Sequence, residues 1–239
     1  MCNHIFKPFY IIYKYGYFAI IMLSLGIDEA GRGPCVGSLF IVGAMFKEKD
    51  LGKLKSIGVK DSKLLTHKKR VELEKEIKKI ANTIKIIKVA PQEIDSAVDG
   101  DKSMNLNWLE AIKQAEIINE LKPDKAIIDC PSPNCNAYER YLRKLLNNQE
   151  IELIIEHKAD KNFVECSSAS VIAKVEREKE VEAIEKMVGE SIGSGYSSNT
   201  ICQKFIKYNF EKYPGLFRKS WSTWKNHNHM KKQKRLEEF

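Results

Sequence analysis

Leu23-Ser24-Leu25-Gly26-Ile27-Asp28-Glu29-Ala30-Gly31-Arg32-Gly33-Pro34 is the stretch on which the fold turns. Its first six residues alternate, with Leu23, Leu25 and Ile27 on one face and Ser24, Gly26 and Asp28 on the other, the period of a strand. Asp28 ends that strand on its polar face, and Glu29 follows directly. Gly31 and Gly33 around Arg32 then make a turn in which backbone can come close to a ligand, because glycine carries no Cβ. Beyond the turn, Val36 to Phe46 is almost wholly apolar, as expected of a central strand buried on both faces.

Outward from there, strand and helix signals alternate without repeats or low-complexity segments. Thr66 is placed to cap a helix from His67 to about Ala81, with Leu73, Ile77 and Ile80 as its apolar stripe. Thr83 to Ala90 reads as a third strand. Ser103 is expected to open a helix that turns Met104, Trp108, Ile112, Ala115 and Ile118 to the core and ends before Pro123. Lys125 to Asp129 is a short buried strand, about Ala137 to Leu146 a helix, and Ile151 to Glu156 a fifth strand. From there the sequence is helical, over about Val164 to Val188, Asn199 to Lys212 and Ser220 onward. Strands followed by strand-helix-strand units predict one mixed α/β sheet.

The composition is that of a folded domain. The 239 residues are 43% hydrophobic and 30% charged, which excludes a disordered tail or a fibre. The net charge of +8 is unevenly spread: residues 1–21 hold +2 and residues 216–239 hold +5, leaving +1 for the body. A basic tail on a nearly neutral body suits a polyanionic partner. Residues 1–21 contain seven of the 22 aromatics, interrupted by Lys7, Pro8 and Lys14. The apolar run from Tyr15 to Met22 is too short to span a membrane, and Met22 reads as the functional start, with 1–21 a disordered or spurious extension. The six cysteines form no dense framework, and no signal peptide precedes the body, so a reducing, cytoplasmic setting is expected. Cys130 and Cys135 are the only close pair after the N-terminus. No second Cys/His pair with zinc-ligand spacing accompanies them in sequence, so they read as free thiols.

Acids recur where strands end: Asp28 and Glu29 after the first, Asp129 closing the fourth, Asp160 just past the fifth. Carboxylates brought together at one sheet edge repel one another unless a divalent cation sits among them, and oxygen ligands suit Mg²⁺ or Mn²⁺. Two such ions can activate water and stabilise the leaving oxygen in phosphodiester cleavage.

The heptapeptide Asp28 to Pro34, preceded by Gly26-Ile27, resembles the signature of type 2 ribonuclease H (ribonuclease HII) in its archaeal form. Further matches follow in order over essentially all of residues 22–225: Val59-Lys60-Asp61-Ser62-Lys63, Ile128-Asp129, His157-Lys158-Ala159-Asp160, Ser167 to Val175, Gly193-Ser194-Gly195-Tyr196 and Arg218-Lys219-Ser220-Trp221. The sequence departs from the common pattern at Ser38, Leu64, Glu178 and Ser197, none of them a metal ligand.

The resemblance implies an α/β ribonuclease H fold, a five-stranded mixed sheet flanked by helices, with a helical C-terminal region. It implies a catalytic domain over 22–197 and a substrate-binding helical region and tail over 198–239. The implied reaction is metal-dependent endonucleolytic cleavage of RNA in RNA/DNA hybrids, and of ribonucleotides embedded in duplex DNA, leaving 5′-phosphate and 3′-hydroxyl ends. Asp28, Glu29, Asp129 and Asp160 match its catalytic, metal-binding acids. Gly31, Arg32 and Gly33 inherit contact with the ribose 2′-hydroxyl, the group that tells RNA from DNA. Tyr196 inherits stacking on the following deoxyribose, and Lys63 and Lys174 phosphate contact. A monomer is the family-like expectation. An inert nucleic-acid-binding subunit would have lost one or more of the four acids, and all four are present.

The tail from Arg218 to Arg235 carries seven cations with Trp221 and Trp224, suited either to lying along a nucleic-acid backbone or to packing its tryptophans on the core. At its end, Gln233, Leu236 and Phe239 have the spacing of a sliding-clamp-binding motif, in which one helical turn presents both apolar side chains.

Overall fold

A computed structural model describes residues 21–59, 65–100 and 103–226. Lys63 and the clamp-motif residues Gln233, Leu236 and Phe239 lie outside them. Five strands, β1 (Leu23–Ala30), β2 (Leu39–Lys47), β3 (Thr83–Val89), β4 (Lys125–Asp129) and β5 (Glu152–Glu156), form one sheet in the order β3-β2-β1-β4-β5. β1 pairs antiparallel with β2 and β2 with β3, whereas β4 runs parallel to β1 and β5 parallel to β4. Around them lie α1 (Leu51–Ser56), α2 (His67–Ile80), α3 (Pro91–Asp95), α4 (Leu106–Leu121), α5 (Cys135–Leu145), α6 (Ala159–Asn162), α7 (Val164–Val188) and α8 (Thr200–Asn209).

The alternation of β1 assigns its two faces. Leu25 and Ile27 join Leu39, Ile41, Ile117 and Tyr138 in the core shared with α4 and α5. On the other face Val42, Ala44 and Phe46 meet Leu73 and Ile77 of α2 and Val171 and Ile172 of α7. Gly26 faces α7, and a Cβ there would sit 2.1 Å from the backbone carbon of Glu165 and 2.3 Å from the amide nitrogen of Cys166. Helix backbone therefore rests on strand backbone, a contact only glycine permits. Alongside, Ser24 Oγ donates to Glu165 Oε1 at 2.7 Å.

The second strand is shorter than the apolar run predicts. Gly37 (φ +85°) breaks it: its amide donates to Leu216 O at 2.9 Å, and Val36 makes a single bridge to Phe217. Helix α4 also begins later than Ser103, at Leu106, where the Asn105 side chain accepts from Trp108 N. Ala115 and Ile118 are buried as expected, but Met104 precedes the helix, and Trp108 and Ile112 are half-buried. The buried stripe is Leu109, Ala111, Ala115, Ile117 and Ile118, with Glu110 and Gln114 between them. Trp108 is drawn aside to Tyr141, ring centroids 4.4 Å apart.

Phe205 of α8, with Phe217 and Trp224 beyond it, closes a smaller core against Cys35, Val36 and Ile184. Phe217 and Phe210 both lie against the Trp224 ring, so the tail's tryptophans pack on the protein. Among the described residues no helix is long and apolar enough to cross a membrane.

Candidate active site

Three of the four acids converge. One carboxylate oxygen each from Asp28, Asp129 and Asp160 lies within 4.8 Å of the others. Pairing between β1 and β4 runs to Ile27 opposite Ile128, so the next residue of each strand, Asp28 and Asp129, emerges side by side on the face that carries α7. Asp160 arrives from the first turn of α6 and is buried.

Backbone and side-chain donors orient the cluster. Lys158 adopts a left-handed conformation (φ 62°) that turns two successive amides onto Asp129, Lys158 N and Ala159 N donating to Oδ1 at 2.8 and 3.3 Å. A non-glycine residue held there is strained, and such strain is found at functional loops. Asp28 Oδ1 accepts from Glu29 N at 2.7 Å, and the Ser170 hydroxyl also bonds to Asp28. Ser170 in turn accepts from Lys174 Nζ at 3.0 Å. Burial lifts the Asp28 carboxyl to about 7, opposed by the Ser170 bond and reinforced by the charge on Asp129.

Glu29 follows the strand alternation to the opposite face and is not one of the three clustered oxygens. Burial, then the charges of Asp28, Glu110 and Asp129, push its carboxyl well above the usual range. Its Oε2 is buried with no hydrogen-bond partner among the described residues. Crowded, buried, hard oxygen donors that resist ionisation are the donor set that a divalent cation of the Mg²⁺ or Mn²⁺ kind satisfies, so the residues fit such an ion.

A groove of about 590 Å³ opens beside the cluster, lined among others by Glu29, Gly31, Arg32, Lys174, Arg177 and Tyr196. Its floor is the glycine turn. Gly31 has φ +87°, and a Cβ on it would lie 2.7 Å from Ser38 O. A Cβ on Gly33 would lie 2.9 Å from Tyr196 Cε1, so the exposed tyrosine leans directly on the turn.

Arg218 holds this turn from below. Fully buried, its guanidinium donates to Gly31 O at 2.5 Å, Arg32 O at 2.7 Å and Gly37 O at 3.0 Å, and it stacks 5.1 Å from the Trp221 ring. Trp221 Nε1 adds a bond to Gly33 O at 3.2 Å. Among the described residues the peptides are trans, and in a trans peptide the N–H points opposite to the C=O. With the carbonyls of Gly31 and Arg32 turned to Arg218, the amides of Arg32 and Gly33 face away from it.

The Arg32 side chain is engaged elsewhere, Nε pairing with the fully buried Glu110 at 2.9 Å and Nη2 donating to Asn107 at 2.5 Å. Burial raises the Glu110 carboxyl to about 7 despite Arg32. Glu110 carries a faint sequence signal, an acid between buried Leu109 and Ala111. Arg177 carries none, yet it is buried on the groove wall, with Nη2 donating to Val36 O at 3.2 Å and Nε and Nη1 lacking hydrogen-bond partners among the described residues.

A mixed 3-2-1-4-5 sheet whose parallel strands carry clustered aspartates at their ends defines a metal-dependent nuclease of the ribonuclease H fold. The chain belongs to the ribonuclease HII family, whose model (Ribonuclease HII) matches residues 25–224. It is 43% identical over 205 residues to Ribonuclease HII of Methanosphaera stadtmanae, covering 84% of this chain and 93% of that protein. The crystal structure of ribonuclease H2 from Pyrococcus horikoshii OT3 superposes with a TM-score of 0.79 at 34% identity, covering 87% of this chain and 98% of that one. The PCNA:RNase HII complex from Archaeoglobus fulgidus matches with a TM-score of 0.75 at 34% identity, over 85% and 96%.

Proposed function

We propose that this ribonuclease HII-family enzyme cuts the RNA strand of RNA/DNA hybrids, and duplex DNA at embedded ribonucleotides, leaving 5′-phosphate and 3′-hydroxyl ends. The observation that carries the reading is the convergence of Asp28, Asp129 and Asp160 beside the groove floored by the glycine turn. These three, with Glu29 beside them, would hold two Mg²⁺ or Mn²⁺ ions. When bound, such ions lower the pKa of water and offset charge on the leaving oxygen.

The protein's own residues do the rest. The amides of Lys158 and Ala159 fix the Asp129 carboxylate, and the Ser170–Lys174 pair fixes that of Asp28. The outward amides of Arg32 and Gly33 would meet a ribose 2′-hydroxyl, so that Arg32 would act through its main chain, a reading supported by its side chain being held by Glu110 and Asn107. Tyr196, leaning on Gly33, offers a face for the next sugar, while Lys174 and Arg177 add positive charge along the groove, and Lys63 is assigned to phosphate.

The chain is expected to act as a cytoplasmic monomer. Gln233, Leu236 and Phe239 are proposed to dock on a sliding clamp, a reading supported by the clamp complex of the Archaeoglobus relative. Clamp affinity equal with and without residues 233–239 would refute that part.

The deciding experiment incubates duplex DNA carrying one ribonucleotide with Mg²⁺ or Mn²⁺ and either the native protein or Asp129→Asn. Native protein is expected to nick the ribonucleotide strand, and the variant to lose activity by about two orders of magnitude or more. An intact strand, or equal cutting by the variant, would overturn the assignment.

A further inference from the structure

A second cluster lies on the other side of Asp129 and has no part in the reaction just described. Cys130 begins the loop after β4, Cys135 opens α5, and His157 follows β5. Sequence shows only the two cysteines as neighbours, whereas parallel pairing of β4 with β5, Asp129 opposite Glu156, brings the histidine beside them.

Cys130 Sγ, Cys135 Sγ and a His157 ring nitrogen lie within 4.8 Å of one another, and Cys135 Sγ is 3.4 Å from His157 Nε2. Zn–S and Zn–N bonds of about 2.3 and 2.0 Å at tetrahedral angles put sulfur and nitrogen ligands about 3.5 Å apart. The observed separation therefore needs little adjustment.

A backbone contact also favours one tautomer of the neutral ring. His157 Nδ1 lies 3.3 Å from the Cys130 carbonyl, a partner that accepts only, which favours the neutral tautomer with the proton on Nδ1 and the Nε2 lone pair toward the sulfurs. That is the outer hydrogen bond by which metal-binding histidines are oriented. The loop after β4 is anchored, Cys130 N donating to Glu156 O at the end of β5 at 3.0 Å and Asn134 N to Ser132 Oγ at 3.2 Å.

We propose that Cys130, Cys135 and His157 form a three-ligand site for a thiophilic divalent cation of the Zn²⁺ class. The two sites sort ions by softness: sulfur and imidazole here take Zn²⁺, while the oxygen cluster across Asp129 takes Mg²⁺ or Mn²⁺. Cys130 is buried, Cys135 half-buried and His157 at the surface, so an ion reaches the ligands from solvent and keeps a fourth position open. Bound there, it ties the loop leaving β4 to the loop that presents the Lys158 and Ala159 amides.

The test loads reduced, chelator-treated protein with Co²⁺ and records the sulfur-to-cobalt charge-transfer band, which oxygen-ligated cobalt lacks. Zn²⁺ is then titrated to displace it. Native protein is expected to show one equivalent with this band, displaced by Zn²⁺. Cys135→Ser and His157→Gln are each expected to weaken binding about 100-fold or more, with Cys135→Ser retaining native circular dichroism and Mg²⁺-dependent cleavage. Absence of the band in native protein, or a band unchanged in both variants, would overturn the proposal.

Discussion

Replacing Arg218 with methionine removes the guanidinium while keeping most of its unbranched stem. Three bonds to backbone carbonyls are lost, one buried and two part-buried, each from a charged donor and worth about 2 kcal/mol. Against that stands the cost of holding the charge inside: burial, with Arg177 nearby, lowers the Arg218 pKa from 12.5 to about 10, equivalent to about 3 kcal/mol. A gross loss of about 6 kcal/mol less this relief leaves a net destabilisation of about 3 kcal/mol. For a domain of this size that corresponds to a fall in Tm of about 6–12 °C. Arg218→Lys keeps the charge but cannot span three carbonyls, so it is expected to lose nearly as much. Cleavage at a single ribonucleotide, measured well below both melting temperatures, should fall more than tenfold, since the Arg32 and Gly33 amides are no longer held outward. Urea denaturation gives the stability term. A loss under about 1 kcal/mol, or full activity in a folded Arg218→Met protein, would refute the idea that this residue sets the turn.

Gly26→Ala drives a methyl into helix backbone on α7 and should cost about 3 kcal/mol or more; Gly52→Ala, with open space around it, should not destabilise, and urea midpoints compare the two. Gly33→Ala meets only the Tyr196 ring, so stability should change by less than about 1 kcal/mol while kcat/KM falls about tenfold. In chelator-treated protein the raised Asp28 pKa means that the folded state binds the proton more tightly than the unfolded state. Stability should therefore fall as pH rises from about 4 through about 7, by up to about 4 kcal/mol. Saturating Mg²⁺ should flatten that slope in thermal melts, and a flat metal-free profile would show that Asp28 is not so buried.

Much of the framework was legible because it rests on local periodicity. β1 follows from alternation, β4 from a short apolar run and α7 from a helical stretch over about Val164 to Val188, and the three clustered aspartates were visible as acids at or just past strand ends. The boundary of β2 was not, because the break lies in the positive φ of Gly37, which apolarity does not register. Nor was the displacement of Glu29 from the three-aspartate cluster, a consequence of adjacent strand residues facing opposite ways. The Arg218 clamp and the Cys130–Cys135–His157 grouping depend on contacts between distant segments. No local window contains both halves of either.

The clamp sets a timetable for the enzyme's birth. Gly31 and Arg218 are 187 residues apart, an interval that takes about 10–40 s to synthesise at typical ribosomal rates. β1 and its acids emerge early, but the turn beside them gains its grip only once Arg218 has followed. The acidic centre is complete only once Asp160 has been made, 58 residues before Arg218, so the nascent protein gathers its three aspartates first and gains its hold on the glycine turn, proposed to meet ribose, afterwards.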